Sequence, residues 1–244
     1  MGKKGPAKHV KRQLAPIAWP IQRKTHVWAV KTSAGPHAFK ESLPLILVLR
    51  EMLQLATTGK EAKTLIKQGK VVVDGVARRD ERFPVGVMDV VDLPDSKQRF
   101  RVLPIHGGRL SLKPIKGEES DFKLCRIIGK TTTNNGVTQL NLHDGSNLML
   151  KDGDAGYEMN DILQMKVPER EVLAHIKFEE GVQAIITGGR SQGRRGQIIG
   201  IGSEPGNKRT VAIRTPDGED VRTLARYVFT VGKGEPLISL TDGQ

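Results

Sequence analysis

Residues 59–76 read GKEAKTLIKQGKVVVDGV, and their pattern decides how the first half of this chain folds. Thr58 and Glu61 stand at capping-box spacing and predict the start of a helix. Gly69 supplies the left-handed residue that ends one. Val71 to Val73 predicts a strand, Asp74-Gly75 a hairpin turn, and Val76 the beginning of the return strand. On a helical wheel Ala62, Leu65 and Ile66 share one face within about 100° of arc. Lys60, Lys63 and Lys67 fall on the opposite face within about 60°. Three lysines on one stripe without an acid suit a row of phosphates, and equally a solvated face.

Upstream, Ser42 is a candidate N-cap, with Pro44 in the first turn and Leu45, Val48, Leu49 and Met52 at helical spacing. Thr57, Thr58 and Gly59 are expected to end that first helix. Residues 43–104 therefore predict a helix-turn-helix-hairpin module. Residues 1–42 are different. Prolines at 6, 16, 20 and 36 break any long helix, and the apolar residues show no period. The segment predicts a basic N-terminal arm with no core of its own, disordered alone and ordered on a partner. Trp19 and Trp28 stand out in it, and either stacking on bases or wedging against protein would suit them.

Downstream, residues 105–175 predict short strands with polar turns: Lys123 to Ile128, the hairpin Gln139 to Leu150 around Asp144-Gly145, and Asp161 to Val167. This is the pattern of a small β-barrel domain. Residues 176–244 predict a second all-β unit. Gly181 to Thr187 and Gln197 to Ile201 are strands joined by the loop GGRSQGRRG (188–196), with further strands at Thr210 to Arg214 and Tyr227 to Val231. The fold class is multidomain α+β.

Charge is unevenly placed. The chain of 244 residues carries a formal net charge of +12, and residues 1–42 account for +8 of it, with nine basic residues against Glu41 alone. A nearly neutral body with a basic arm predicts a polyanionic partner. Apolar residues make up 37% and aromatics 4%, which favours several small cores over one large one. The single cysteine, Cys125, excludes a disulfide within the chain, and no Cys/His cluster has zinc-ligand spacing. The longest apolar run, Leu43 to Leu49, is interrupted by Pro44 and too short to span a bilayer. Lysines without a following apolar run do not make a secretory signal, and a cytoplasmic setting is expected.

Two stretches carry a resemblance. Ala62, Leu65, Ile66, Gly69, Val71, Val73, Asp74 and Gly75 match the spacing of the alpha-L RNA-binding module, found in a bacterial small-subunit ribosomal protein, pseudouridine synthases and tyrosyl-tRNA synthetases. Lys60-Glu61 stands here where the module usually has Ser/Thr-Arg. Gly181 to Ile201 resembles the KOW motif, with its loop glycines at Gly188, Gly193 and Gly196. With the opening MGKKGPAKHVKR and the segment SAGPHAFKESLPL, the whole chain from Met1 to about Leu240 resembles the S4e family of archaeal and eukaryotic small-subunit ribosomal proteins. The resemblance implies a non-enzymatic structural constituent of the small subunit that binds ribosomal RNA beside neighbouring ribosomal proteins. It implies no cofactor, metal, membrane or small-molecule substrate, and a C-terminal KOW barrel. The expected RNA-binding residues are Lys3, Lys4, Lys8, Lys11, Arg12, Arg23 and Lys24 of the arm, Lys60, Lys63, Lys67, Arg78 and Arg79 of the module, and Arg190, Arg194 and Arg195 of the glycine loop.

Rival readings are weaker. The glycine loop lacks the GK[ST] of a P-loop, and an apolar β-like run follows it where a P-loop has a helix. His143, Asp144 and Ser146 have the residue types of a hydrolase, but neighbours within one hairpin turn point apart and form no relay. A pseudouridine synthase would need a large catalytic domain, and a KOW-type transcription or translation factor does not account for the arm and the alpha-L module together.

Overall fold

The structure, a computed structural model, describes residues 7–133, 136–150, 156–204 and 208–240. It is mostly antiparallel sheet with few helices, a multidomain α+β arrangement. In the N-terminal segment two short strands, β1 (His9–Lys11) and β2 (Trp28–Val30), pair with Lys11 opposite Trp28. Ser42 is not a helix cap. It opens strand β3 (Ser42–Pro44), and its hydroxyl donates to the Ala38 carbonyl at 2.8 Å. Helix α1 (Leu45–Leu47) starts after Pro44, continues as a π-helical turn over Val48–Met52, and stops short of Thr57. The amides of Leu45 and Ile46 donate to the carbonyls of Phe83 and Glu81, so main chain replaces the side-chain cap.

Helix α2 (Gly59–Lys67) follows the sequence closely. The Thr58 hydroxyl accepts from the Glu61 amide, and the Glu61 carboxylate accepts from the Thr58 amide, a complete capping box. Gly69 ends it at φ +76°. Strands β4 (Val72–Val73) and β5 (Val76–Ala77) are joined by Asp74 and Gly75, both at positive φ as a tight hairpin requires. Strand β6 (Pro84–Gly86) pairs with β3. Strands β7 (Val90–Leu93), β8 (Gln98–Ile105) and β9 (Arg109–Ile115) complete a sheet of order β5-β4-β7-β8-β9. Residue 104, the expected boundary, lies inside β8.

The central sheet is built on β10 (Phe122–Thr132), flanked by β11 (Thr138–Leu142) and β12 (Asn147–Met149) on one side. On the other lie β13 (Ile162–Lys166) and β14 (Val172–Ile176). The last sheet contains β15 (Val182–Ile186), β16 (Arg195–Glu204), β17 (Lys208–Arg214), β18 (Asp220–Leu224) and β19 (Val228–Lys233), in the order β18-β17-β16-β15-β19. Strand β18, absent from the sequence reading, is polar and half exposed, which hides its alternation.

Several of these strands bury residues of both faces. On β10, Phe122 and Leu124 join a core shared with Val182, Ile185, Phe229 and Val231 of the last sheet, while Cys125 and Ile127 face a core internal to the central sheet. The sheets therefore share a core as well as having their own.

The expectation that residues 1–42 have no core is corrected. Ala15, Ala18, Trp19 and Ala29 are buried in one cluster with Leu45, Leu49, Ala62 and Ile66. Trp19 is 3% exposed, its indole N–H donates to the Ser42 carbonyl at 2.7 Å, and its ring meets Phe39 edge-on. The segment has no periodicity because it supplies loop residues to its neighbour's core.

Candidate nucleic-acid interface

The structure sorts the expected basic residues into exposed cations and structural ones. Lys3 and Lys4 lie outside the described residues. Lys8, Lys11 and Lys24 are exposed on the N-terminal segment. Arg12 is buried, with its guanidinium on the Gln22 carbonyl and the Thr25 hydroxyl. Arg23 donates to the carbonyls of Ala15 and Pro16 at 2.9 and 3.1 Å, stapling the loop that follows β1. These two arginines act as internal braces because a proline-rich loop leaves carbonyls without amide partners.

On α2 the stripe is split. Lys63 is half-buried and paired with Glu81 at 2.6 Å. Lys60 and Lys67 are exposed and have no carboxylate partner among the described residues. Arg79 is also exposed, and its Nε lies 3.7 Å from where a Cβ at Gly69 would sit, beside the C-terminal end of α2. Arg78 instead stacks on Phe83, 4.4 Å from the ring centroid. Lys60, Lys67 and Arg79 thus form one positive ridge along and beyond the helix.

In the glycine loop Arg190 is exposed, Arg194 is paired with Glu219 at 2.7 Å, and Arg195 is half-buried at the start of β16. The loop's glycines pack on protein. A Cβ at Gly193 would lie 2.5 Å from the backbone of Ile105 and His106 at the tip of the β8–β9 hairpin, and its φ is +86°. Gly188 and Gly196 are crowded in the same way by Tyr227 and the Arg214 carbonyl. Gln192 donates to the Arg109 carbonyl at 3.2 Å, and the Ile17 side chain of the N-terminal segment lies 3.2 Å from where a Cβ at Gly108 of the same tip would sit. The β8–β9 tip therefore brings the first and last basic segments together. No sequence signal announces this, because the Gln192–Arg109 contact joins residues 83 positions apart.

Residues 47–91 match the S4 domain, residues 4–40 the RS4NT (NUC023) domain, and residues 96–172 the ribosomal family S4e. The small ribosomal subunit protein eS4 of Methanosphaera stadtmanae is 47% identical over 241 residues, covering 98% of each chain. This chain belongs to the ribosomal S4e family. The small ribosomal subunit protein eS4 of Desulfurococcus amylolyticus is 42% identical over 250 residues, 100% of this chain and 99% of that one. The crystal structure of the 30S ribosomal protein S4e from Thermoplasma acidophilum superposes with a TM-score of 0.67 at 28% identity, covering 79% of this chain and 96% of that one.

Behind the exposed cations this S4e-family chain has a buried polar cluster that sequence reading missed. Lys123, 2% exposed, reaches Asp89 at 2.5 Å, Asp74 at 2.7 Å and Asp144 at 3.4 Å. Asp89 also accepts from the Gly86 amide and bonds the His37 ring at 2.8 Å. Burial alone would lower the Lys123 pKa, but the carboxylates of Asp74 and Asp89 outweigh it and hold the ammonium charged. The cluster joins the N-terminal segment, the β4–β5 hairpin and the central sheet. The signal that could have found it is that Lys123 shares its strand face with Cys125 and Ile127, an apolar face on which a lysine needs carboxylate partners.

His143, Asp144 and Ser146 do not form a relay. Ser146 donates to Asp144 at 2.5 Å, but the His143 ring accepts from the Arg126 amide at 3.1 Å and meets the Val87 carbonyl at 3.2 Å. Burial, reinforced by the Lys123 charge, pushes the His143 pKa down to about 3, so the ring is a neutral spacer. Among the described residues no group of His, Cys, Asp and Glu could hold a metal ion, and no helix is long and apolar enough to cross a membrane.

Proposed function

We propose that this protein is a structural constituent of the small ribosomal subunit that binds and stabilises ribosomal RNA in the cytoplasm, beside neighbouring ribosomal proteins, with no catalytic role. The observation that carries this reading is full-length similarity, 47% over 98% of both chains, to a protein named for the small ribosomal subunit. The match of residues 47–91 to the S4 domain and the ridge of Lys60, Lys67 and Arg79 on that segment support RNA contact. The helix-turn-helix-hairpin is read as an alpha-L module, the central unit as a small barrel and the last sheet as a KOW barrel. The RNA-facing set is read as Lys3, Lys4, Lys8, Lys11, Lys24, Lys60, Lys67, Arg79 and Arg190 in direct contact. Arg12, Arg23, Lys63, Arg78, Arg194 and Arg195 are read as supporting the shape of those surfaces.

Sedimentation tests the reading. The protein is expected to travel with the small subunit on a sucrose gradient, and to remain in the free fraction if the reading is wrong. With on the order of six phosphates neutralised, affinity for ribosomal RNA should fall with salt at a log–log slope of roughly −4 to −5.

A further inference from the structure

The two tryptophans of the N-terminal segment have opposite environments. Trp19 is 3% exposed and hydrogen-bonded, whereas Trp28 is 57% exposed. Trp28 sits on β2 directly opposite Lys11 of β1, and the adjacent pair, Val10 and Ala29, packs inward on the core. Strand alternation therefore places the Trp28–Lys11 pair on the outer face of the ribbon. Lys8, Lys24 and His26 are exposed nearby in sequence, and no acid occurs before Glu41.

We propose that the outer face of the β1–β2 ribbon is a base-stacking site, on which Trp28 takes an unpaired RNA base while Lys11 and its neighbouring lysines take the adjoining phosphates. This rests on the RNA-binding reading and names a site within it. The chemistry favours single-stranded RNA over the two obvious alternatives. A duplex hides its base faces, leaving the indole nothing to stack on. A protein partner large enough to cover Trp28 would also have to accept Lys8, Lys11 and Lys24, in a segment that holds no acid before Glu41 to balance them. An aromatic platform in a positive surface is the combination that binds single strands without strict sequence preference.

Intrinsic fluorescence reads this site directly, because Trp28 and Trp19 are the chain's two tryptophans. Titrating the full chain with a short single-stranded oligoadenylate should quench its emission, and Trp28→Phe, which leaves only the buried Trp19, should abolish most of the quenching. Trp28→Ala and Trp28→Leu should each weaken oligoadenylate binding, followed on the labelled oligonucleotide, by about tenfold. Trp28→Phe should retain most of the affinity, and it keeps the test readable if a smaller side chain disturbs the ribbon. Full affinity in Trp28→Leu would mean that apolar contact is what matters. Quenching that persists in Trp28→Phe, or wild-type emission that responds to small-subunit proteins and not to RNA, would equally overturn the stacking site. These outcomes leave the RNA-binding reading standing if the labelled RNA still binds. Absence of wild-type binding to any RNA at low salt would remove both.

Discussion

Lys123 illustrates what one residue does in this protein. A single ammonium satisfies Asp74 of the β4–β5 turn and Asp89, just before β7, and approaches Asp144 of the turn between β11 and β12. Lys123→Met should cost about 3–5 kcal/mol, because it leaves buried carboxylates facing one another. Denaturant unfolding would measure it, and a loss under about 1 kcal/mol would show that the cluster does not hold these segments together. His143 sets an acid limit. Its folded pKa lies near 3, below the unfolded value of about 6.5. Stability from the neutral ring is fully present above about pH 6.5 and is lost as pH falls towards 3. Asp144, held down at about 2 by Lys123 and the Ser146 hydroxyl against the opposing effect of burial, adds a loss that begins only below about pH 4. The melting temperature should therefore start to fall below pH 6.5, and His143→Gln should flatten the upper part of that fall.

At the level of elements, α2 and the glycine loop use their sequence in different ways. The capping box and Gly69 make α2 a local decision, and its exposed ridge is separable from its core face. Replacing Lys60, Lys67 and Arg79 together by alanine should leave the melting temperature nearly unchanged, since exposed substitutions rarely exceed about 0.5 kcal/mol each. The same variant should make the salt slope of RNA binding shallower by about 2 to 3. An unaltered slope would exclude the ridge from the interface. In the glycine loop, Gly193→Ala combines a positive φ with backbone at 2.5 Å, and should destabilise by about 2 kcal/mol or more as the loop is forced off the β8–β9 tip. Urea unfolding of that variant measures how far the loop's glycines serve protein packing.

For the whole molecule, the N-terminal segment is both a carrier of charge and part of the core. Removing residues 1–42 takes away +8 of the +12 formal charge and also Trp19, Ala15, Ala18 and Ala29 from the first cluster. The truncated chain should therefore melt well below the full chain, and Trp19→Ala alone should cost about 3–5 kcal/mol. An unchanged melting temperature on truncation would restore the picture of a detachable arm. Weak RNA binding by the truncated chain must be read against its stability, which is why Trp28 and the α2 ridge are the cleaner probes of contact.

Sequence alone determined the local features of this protein. Thr58, Glu61 and Gly69 bound α2, Asp74-Gly75 turns the hairpin, the runs around Lys123, Gln139, Val182 and Ile198 are strands, and the charge sits at the front. Each of these depends on neighbours within a few positions, where capping, turn geometry and side-chain period act. Tertiary structure decided which cations remain exposed, which tryptophan is buried, and why the loop glycines are glycines. It also decided that Ser42 is a strand residue and that the N-terminal segment belongs to a core. Those outcomes depend on carbonyls, carboxylates and backbone brought in from distant parts of the chain: Glu81 beside Lys63, Asp74 beside Lys123, Ile105 beside Gly193. A basic residue or a glycine reads the same in sequence whether it faces solvent or packs on its own protein, and only the packed chain tells the two apart.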